Sequence, residues 1–368
     1  MDYLIFSLKI ISLRHTELIQ CSRRKREEHR LETSKSCCLD IYSCIFFNLK
    51  QPCYSIPHTF ILSPKEGEGN WGGGNIGVDN FLLFVLFLRH RALEPDSFIQ
   101  ARSEMIKIGT SGFSFPDWKG TVYPAGIRER DMLSFYEKEL GFNVLEINFT
   151  YYTLPSQKSL AGMAQKTSKE FEFVVKSFKG MTHEIWDKET CTRIDNRETF
   201  KKFRYGLVPL IEEKKLACVL AQFPYGFFPN RDNLGYLESF KEEMIDTPLV
   251  FEFRNQAWLK EETFQFLEKK GIGFCVVDEP KLPKLMPYHP RATSEMGYFR
   301  FHGRNTNWFN VPTSVRYDYL YSEAELKEFI PDVKDISKKA AKTLIFFNNC
   351  HAGSAAKNAA QMAKLLMN

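Results

Sequence analysis

From Met105 onward, short apolar runs recur along the chain, with polar or helix-patterned stretches between them. Runs of this kind, apolar on both alternating faces, are what a parallel sheet covered by helices imposes on a sequence. They predict strands at 106–110, 143–148, 171–176, 216–222, 249–254, 274–278, 298–302 and 343–348. Amphipathic or alanine-rich stretches predict helices at 130–140, 158–165, 199–213, 323–330 and 353–367. Eight strands alternating with helices over residues 105–368 predict an α/β fold, a TIM-type (β/α)8 barrel forming one domain, since such barrels take about 250 residues. The alternative is an open doubly wound sheet, which would want a GxGxxG turn after its first strand. Here that turn reads Gly109-Thr110-Ser111-Gly112-Phe113.

Residues 1–104 carry no sustained helix or strand period, and they hold a basic cluster at Arg23 to Arg26 and a glycine run at Gly72 to Gly74. We expect an N-terminal extension there, disordered or a spurious upstream start, with Met105 as the natural beginning. Its apolar piece at 81–88 is far shorter than the roughly 20 residues of a spanning helix. Asp2 and Lys9 spoil the weak likeness of the first residues to a signal peptide. The expectation is a cytoplasmic protein with no membrane partner. Cys218 and Cys275 fall inside apolar strands and no CxxC pair occurs, which fits buried thiols in a reducing compartment.

With 43% hydrophobic and 26% charged residues the composition is that of a globular protein. A net charge of +5, from 50 basic and 45 acidic residues, gives no broad basic footprint, so a small ligand is favoured over nucleic acid. Oligomeric state leaves no signal in the sequence.

Chemistry collects where the predicted strands end. The ends carry Glu146 and Asn148, Lys176, Gln222, Glu252 and Arg254, Asp278, Arg300 and His302, and Asn348 with Asn349. Residues two apart share a strand face, so Glu146/Asn148, Glu252/Arg254 and Arg300/His302 each point one way. The downstream mouth of a barrel is where active sites are built. A structural ion pair would explain Glu252 and Arg254 alone, but it does not explain polar groups at the same end of nearly every strand.

The motifs around these positions are Gly109-Thr110-Ser111-Gly112-Phe113 with Pro116 and Trp118, Tyr123-Pro124, Glu146-Ile147-Asn148 running on to Tyr151-Tyr152, and Phe173-Val174-Val175-Lys176 with Thr182-His183. Further along stand Gln222-Phe223-Pro224, Glu252-Phe253-Arg254 with Trp258, Asp278, Arg300-Phe301-His302-Gly303-Arg304 with Trp308, Arg316 to Tyr321, and Phe346-Phe347-Asn348-Asn349. In these motifs and their order, residues 107–368 resemble the YecE-like family, domain of unknown function 72, whose members adopt a TIM-type barrel. Two departures are Phe113, where the family often has Trp, and Cys350 before His351, where the family commonly has His directly after the paired asparagines. The resemblance implies a fold and supplies no reaction.

The residues themselves suggest an oxyanion site. Arg254, Arg300, Arg304 and Lys176, with the amides of the 109–113 turn, form a set suited to carboxylate or phosphate. Glu146, Glu252, Asp278 and His302 are candidate catalytic acids and bases, with His183 nearby. Asn148, Gln222, Asn348, Asn349, Ser111 and Tyr152 complete the expected substrate contacts. No cofactor is expected. A divalent metal held by Glu146, Glu252, Asp278 and His302 competes, but the arginines would crowd it. Trp118, Tyr151, Tyr152, Trp258, Trp308, Tyr317 and Tyr319 either stack on a ligand or plug the rim. The expected function is acid/base catalysis on a small anionic substrate, phosphorylated, sugar-like or nucleotide-like. The alternatives are a barrel that binds such a ligand or a nucleic-acid end without turnover, and a metal-assisted phosphoester hydrolase.

Overall fold

The computed structural model describes residues 105–283 and 285–367; the expected extension over 1–104 lies outside them. The strands are β1 (Met105–Thr110), β2 (Val144–Ile147), β3 (Glu172–Lys176), β4 (Leu216–Phe223), β5 (Leu249–Phe253), β6 (Gly273–Asp278), β7 (Met296–Phe301) and β8 (Lys342–Phe347). All pair in parallel, in the order β1-β8-β7-β6-β5-β4-β3-β2. The helices are α1 (Glu129–Lys138), α2 (Gln157–Ala164), α3 (Arg197–Glu212), α4 (Arg231–Glu243), α5 (Glu261–Lys270), α6 (Thr313–Arg316), α7 (Glu323–Lys339) and α8 (Ser354–Met367). The predicted eight-stranded barrel is therefore the observed fold. Among the described residues, the connection from β6 to β7 is the one crossover without a helix.

The sheet closes between β1 and β2 by an irregular seam. A Cβ on Gly109 would lie 2.1 Å from the Val144 carbonyl oxygen, so only glycine lets the two strands come this close. Tyr136, from α1, fills the gap in the ladder: its hydroxyl accepts the Thr110 N–H at 2.9 Å and donates to Val144 O at 3.2 Å. Beyond it, Ser111 bridges Glu146, and Gly112 N–H donates to Glu146 O at 2.9 Å. The amides of Thr110, Ser111 and Gly112 are thus spent on closing the barrel and do not point to a ligand, contrary to the sequence expectation.

Strand alternation sorts the side chains. On β7, Tyr298 and Arg300 face the interior, and Phe299 and Phe301 face the helices, Phe301 packing on Phe329 of α7 at 4.6 Å. On the outer side of β4 and β5, Phe223, Phe253, Phe227 and Trp258 form a stack, anchored by Trp258 Nε1 donating to Phe227 O. Burial of such rings is the main stabilising contribution of this layer.

Several boundaries differ from expectation. Helix α7 runs on to Lys339, through Pro331, where a stop before the proline was expected. Leu326, Phe329, Val333 and Ile336 recur at three- and four-residue intervals on its buried face, and their packing outweighs the backbone hydrogen bond that proline cannot make. Strand pairing also stops one residue before Asn148, Arg254, His302 and Asn348. These groups stand just past the ladder, on the rim of the mouth.

Candidate functional site

Arg300, 1% exposed, is the hub of the mouth. Its Nε and Nη2 grip Glu146 at 2.9 and 2.6 Å, and its Nη1 donates to Glu252 Oε2 at 2.8 Å. Tyr298, two residues earlier on β7, donates to Glu146 Oε2 at 2.8 Å. The other Glu252 oxygen accepts from Arg254 Nη1 at 2.9 Å. Arg254 then reaches Glu279, its Nη2 lying 2.8 Å from Oε2. That contact is an ion pair out of line with the N–H, for Oε2 has no hydrogen bond. Glu279 Oε1 accepts the Met286 N–H. The chain of alternating charge runs Glu146, Arg300, Glu252, Arg254, Glu279.

These contacts set the protonation states. Burial would raise both Glu146 and Glu252, but the Arg300 charge overcomes it and holds each below the usual carboxylate range, Glu252 well below. Arg254 is correspondingly raised: burial works against its charge, and Glu279 and Glu252 more than restore it. Glu279 behaves differently. Burial raises it to about 7, which the pull of Arg254 does not cancel.

His302 is fully buried and pushed down to about 3, first by burial and then by the Arg254 charge. Arg254 Nη1 lies 2.9 Å from its Nε2. A guanidinium only donates, so Nε2 accepts and the neutral ring carries its hydrogen on Nδ1. Nδ1 faces the side-chain amide of Asn348 at 2.9 Å, which serves as acceptor when its oxygen is turned to the ring.

Lys176, at the end of β3, stands apart from the matched charges. Its ammonium donates to Gln222 Oε1 at 2.7 Å and lies 4.9 Å from the centre of the Tyr151 ring. Among the described residues it has no carboxylate at ion-pair distance. Burial, then the charge of Arg300, lowers it to about 8. His183, edge-on to Tyr151 at 4.9 Å, is lowered to about 4 by burial and by Lys176.

Not every expected residue joins this group. Asp278 is level with Phe301 in the β6–β7 register and turns outward, where Tyr321 donates to it at 2.6 Å and Arg304 grips it through Nε and Nη2. Arg304 continues to Glu325 of α7 and lies over Phe329. This pair ties the barrel wall to a helix and leaves the mouth. The four-residue metal set weighed as the competing reading of the sequence is therefore not assembled. Asn349 also turns outward, bonding Asn358 of α8 and the Tyr319 carbonyl. The sequence reading missed Glu279 and Tyr298, which do enter the network. Both faces of β6 are apolar, so nothing in the sequence says whether Asp278 or Glu279 points inward.

Beside the network, on the β8-β1-β2 side, lies a cavity of about 700 Å³. Glu146 forms part of its wall together with Ser111, Asn148 and Asn348, and Phe113, Phe115, Phe149, Tyr152 and Tyr317 supply its aromatic sides. Ser111 Oγ and Asn148 Oδ1 are buried and have no hydrogen-bond partner in the protein. Tyr152 is 70% exposed at the opening, whereas Trp118 and Trp258 are core residues. Trp308 is buried against the Arg254 and Arg316 guanidinium groups. Among the described residues no group of three His, Cys, Asp or Glu side chains is arranged to hold a metal ion, and none forms a helix long and apolar enough to cross a membrane.

Comparison with known proteins agrees with the architecture. The sequence profile of the family described as "Protein of unknown function DUF72" matches residues 107–368. The UPF0759 protein YunF of Bacillus subtilis (strain 168) is 31% identical over 275 residues, covering 71% of this chain and 95% of YunF. The crystal structure of a DUF72 family protein from Thermotoga maritima MSB8 is similar with a TM-score of 0.67 at 48% identity, over 72% of this chain and 100% of the other. A DUF72 family protein from Enterococcus faecalis V583 gives a TM-score of 0.63 at 29% identity, over 72% and 96%.

Proposed function

The chain belongs to the DUF72 family, whose description names no activity, and from its own geometry we propose an enzyme that performs acid/base chemistry on a small anionic substrate at the barrel mouth. The observation that carries this reading is Lys176, a cation without a carboxylate partner beside a network whose guanidinium groups are matched. Assembling buried ion pairs is expensive: each ion loses several kcal/mol of hydration, and well-packed apolar residues would serve stability as well. Such a network at the C-terminal end of a barrel is better explained as a fixed electrostatic frame. With Glu279 near about 7, its carboxyl is protonated for a large part of the time at neutral pH, leaving the mouth with a net positive charge that draws an anion.

The roles divide accordingly. Lys176 contacts the anionic group, with Gln222 fixing its ammonium. Glu279 is the group poised to exchange a proton near neutrality, and Arg254 tunes it. Glu252 and His302 hold Arg254 and Arg300 in place, since their acceptor atoms are already occupied. Both oxygens of Glu252 being taken up by arginines speaks against a divalent cation at that position. The same occupancy favours a second reading, a barrel that binds its ligand without turnover.

A thermal-shift screen of the full chain against phosphorylated metabolites, repeated on Lys176→Met, tests the ligand class. At least one anion should stabilise the wild type and fail to stabilise the variant; equal responses would refute the reading. For a compound that binds, Glu279→Gln then separates the two readings, because an enzyme loses turnover and keeps binding.

A further inference from the structure

The cavity beside the network makes a different demand from Lys176. Two buried oxygens of its lining, Asn148 Oδ1 and Ser111 Oγ, have no hydrogen-bond partner in the protein, whereas both oxygens of Glu146 are already taken by Arg300 and Tyr298. Ser111 is 1% exposed, so its hydroxyl has neither protein nor bulk solvent to bond. A buried polar atom left without a partner is costly, and a ligand group that supplies the missing hydrogen bond recovers that cost on binding. An ionised phosphate or carboxylate group has no hydrogen to give the acceptor Asn148 Oδ1. Groups that donate hydrogen bonds suit the floor. The walls, Phe113, Phe115, Phe149 and Tyr317 among them, present ring surfaces at a spacing that leaves about 700 Å³. Aromatic rings facing hydrogen-bond acceptors match a flat ring whose faces are C–H and whose edges are hydroxyl groups.

We infer that this cavity binds the uncharged part of the substrate, a cyclic polyol of the sugar class, its hydroxyls bonding Ser111 Oγ and donating to Asn148 Oδ1. The inference deepens the proposal of an anionic substrate and rests on it: the anionic group lies toward Lys176, whose charge acts on Glu146 in the cavity lining. Ser111 and Asn148 become specificity-determining contacts, and the aromatic sides set the face of the ring.

Calorimetric titration of the full chain with glucose 6-phosphate, ribose 5-phosphate, phenyl phosphate, adenine, glucose and inorganic phosphate tests this. The sugar phosphates should bind at least about tenfold more tightly than phenyl phosphate, one hydrogen bond to a buried acceptor being worth about that factor. Ser111→Ala and Asn148→Ala should each weaken sugar phosphate about tenfold and leave phenyl phosphate unchanged. Ser111→Ala should not lower the melting temperature of the ligand-free protein, because it deletes a hydroxyl that bonds nothing. Phenyl phosphate or adenine binding as tightly as the sugar phosphates, or no member of the panel binding, would overturn the inference. Glucose binding as tightly as its phosphate, with Lys176→Met without effect, would uphold the polyol assignment and remove the anionic reading.

Discussion

Arg300 and Glu146 are joined by two parallel hydrogen bonds, at 2.9 and 2.6 Å, across the barrel interior between β7 and β2. The same guanidinium also holds Glu252, so one cation bridges two buried carboxylates, the second of which it shares with Arg254. Arg300→Met leaves Glu146 without a cation and Glu252 with Arg254 alone, and the expected loss is about 3–5 kcal/mol of folding stability, the range for breaking a buried pair from one side. Denaturant unfolding of the variant measures it; a loss below about 1 kcal/mol would show that the carboxylates are not held as described.

The pH dependence of stability has a sign that Glu279 sets on its own. Its pKa is raised from 4.5 to about 7 in the folded chain, so the native state keeps a proton that the unfolded state has released. Stability from this group is complete below about 4.5 and is lost as pH climbs through about 7. Replacing it with Gln removes that slope. Subtracting the Glu279→Gln profile from that of the wild type cancels the other groups, including His302, whose depressed value works in the opposite direction. The difference should fall between pH 4.5 and 7; a flat difference contradicts the assignment.

Tyr136 substitutes for ladder bonds at the seam between β1 and β2. Tyr136→Phe leaves the buried Thr110 N–H and Val144 C=O without that partner, and the expected cost is about 1–3 kcal/mol. Chemical denaturation would give this value directly, and hydrogen exchange should show the Thr110 amide losing protection before its neighbours.

Asp278 and Lys176 make a contrasting pair. Asp278 binds Arg304 and Tyr321 on the outer wall, so Asp278→Asn should lower the melting temperature and leave ligand affinity unchanged. Lys176→Met should do the reverse, relieving a half-buried ammonium while weakening anion binding. Melting curves and titrations on both variants check the crossing pattern.

How much of this was legible in the sequence depends on the strand. The apolar runs located all eight strands, because a parallel sheet buried on both faces leaves no other pattern. Spacing by two placed Glu252 with Arg254 and Arg300 with His302 on the inner face, and the structure brings those four together. The same rule failed after β6, where neither face is polar and the inward residue proved to be Glu279 instead of Asp278. Arg304 follows Gly303, at φ +89, and lies outside the mouth on Asp278, which no side-chain pattern announces. The pairing of charges was also hidden. Counting arginines suggested an open oxyanion site, and only coordinates show that Arg254 and Arg300 are already paired with carboxylates, which leaves Lys176 as the cation of the network's surroundings with no carboxylate at ion-pair distance among the described residues.

That conclusion is tested most directly by following the Lys176 side chain through its own titration by nuclear magnetic resonance, in the ligand-free protein and in saturating sugar phosphate. The account predicts a midpoint near about 8 without ligand, moving upward when the anion binds, because a neighbouring negative charge favours the ammonium form. A midpoint at the ordinary lysine value, or one that ignores the ligand, would contradict it.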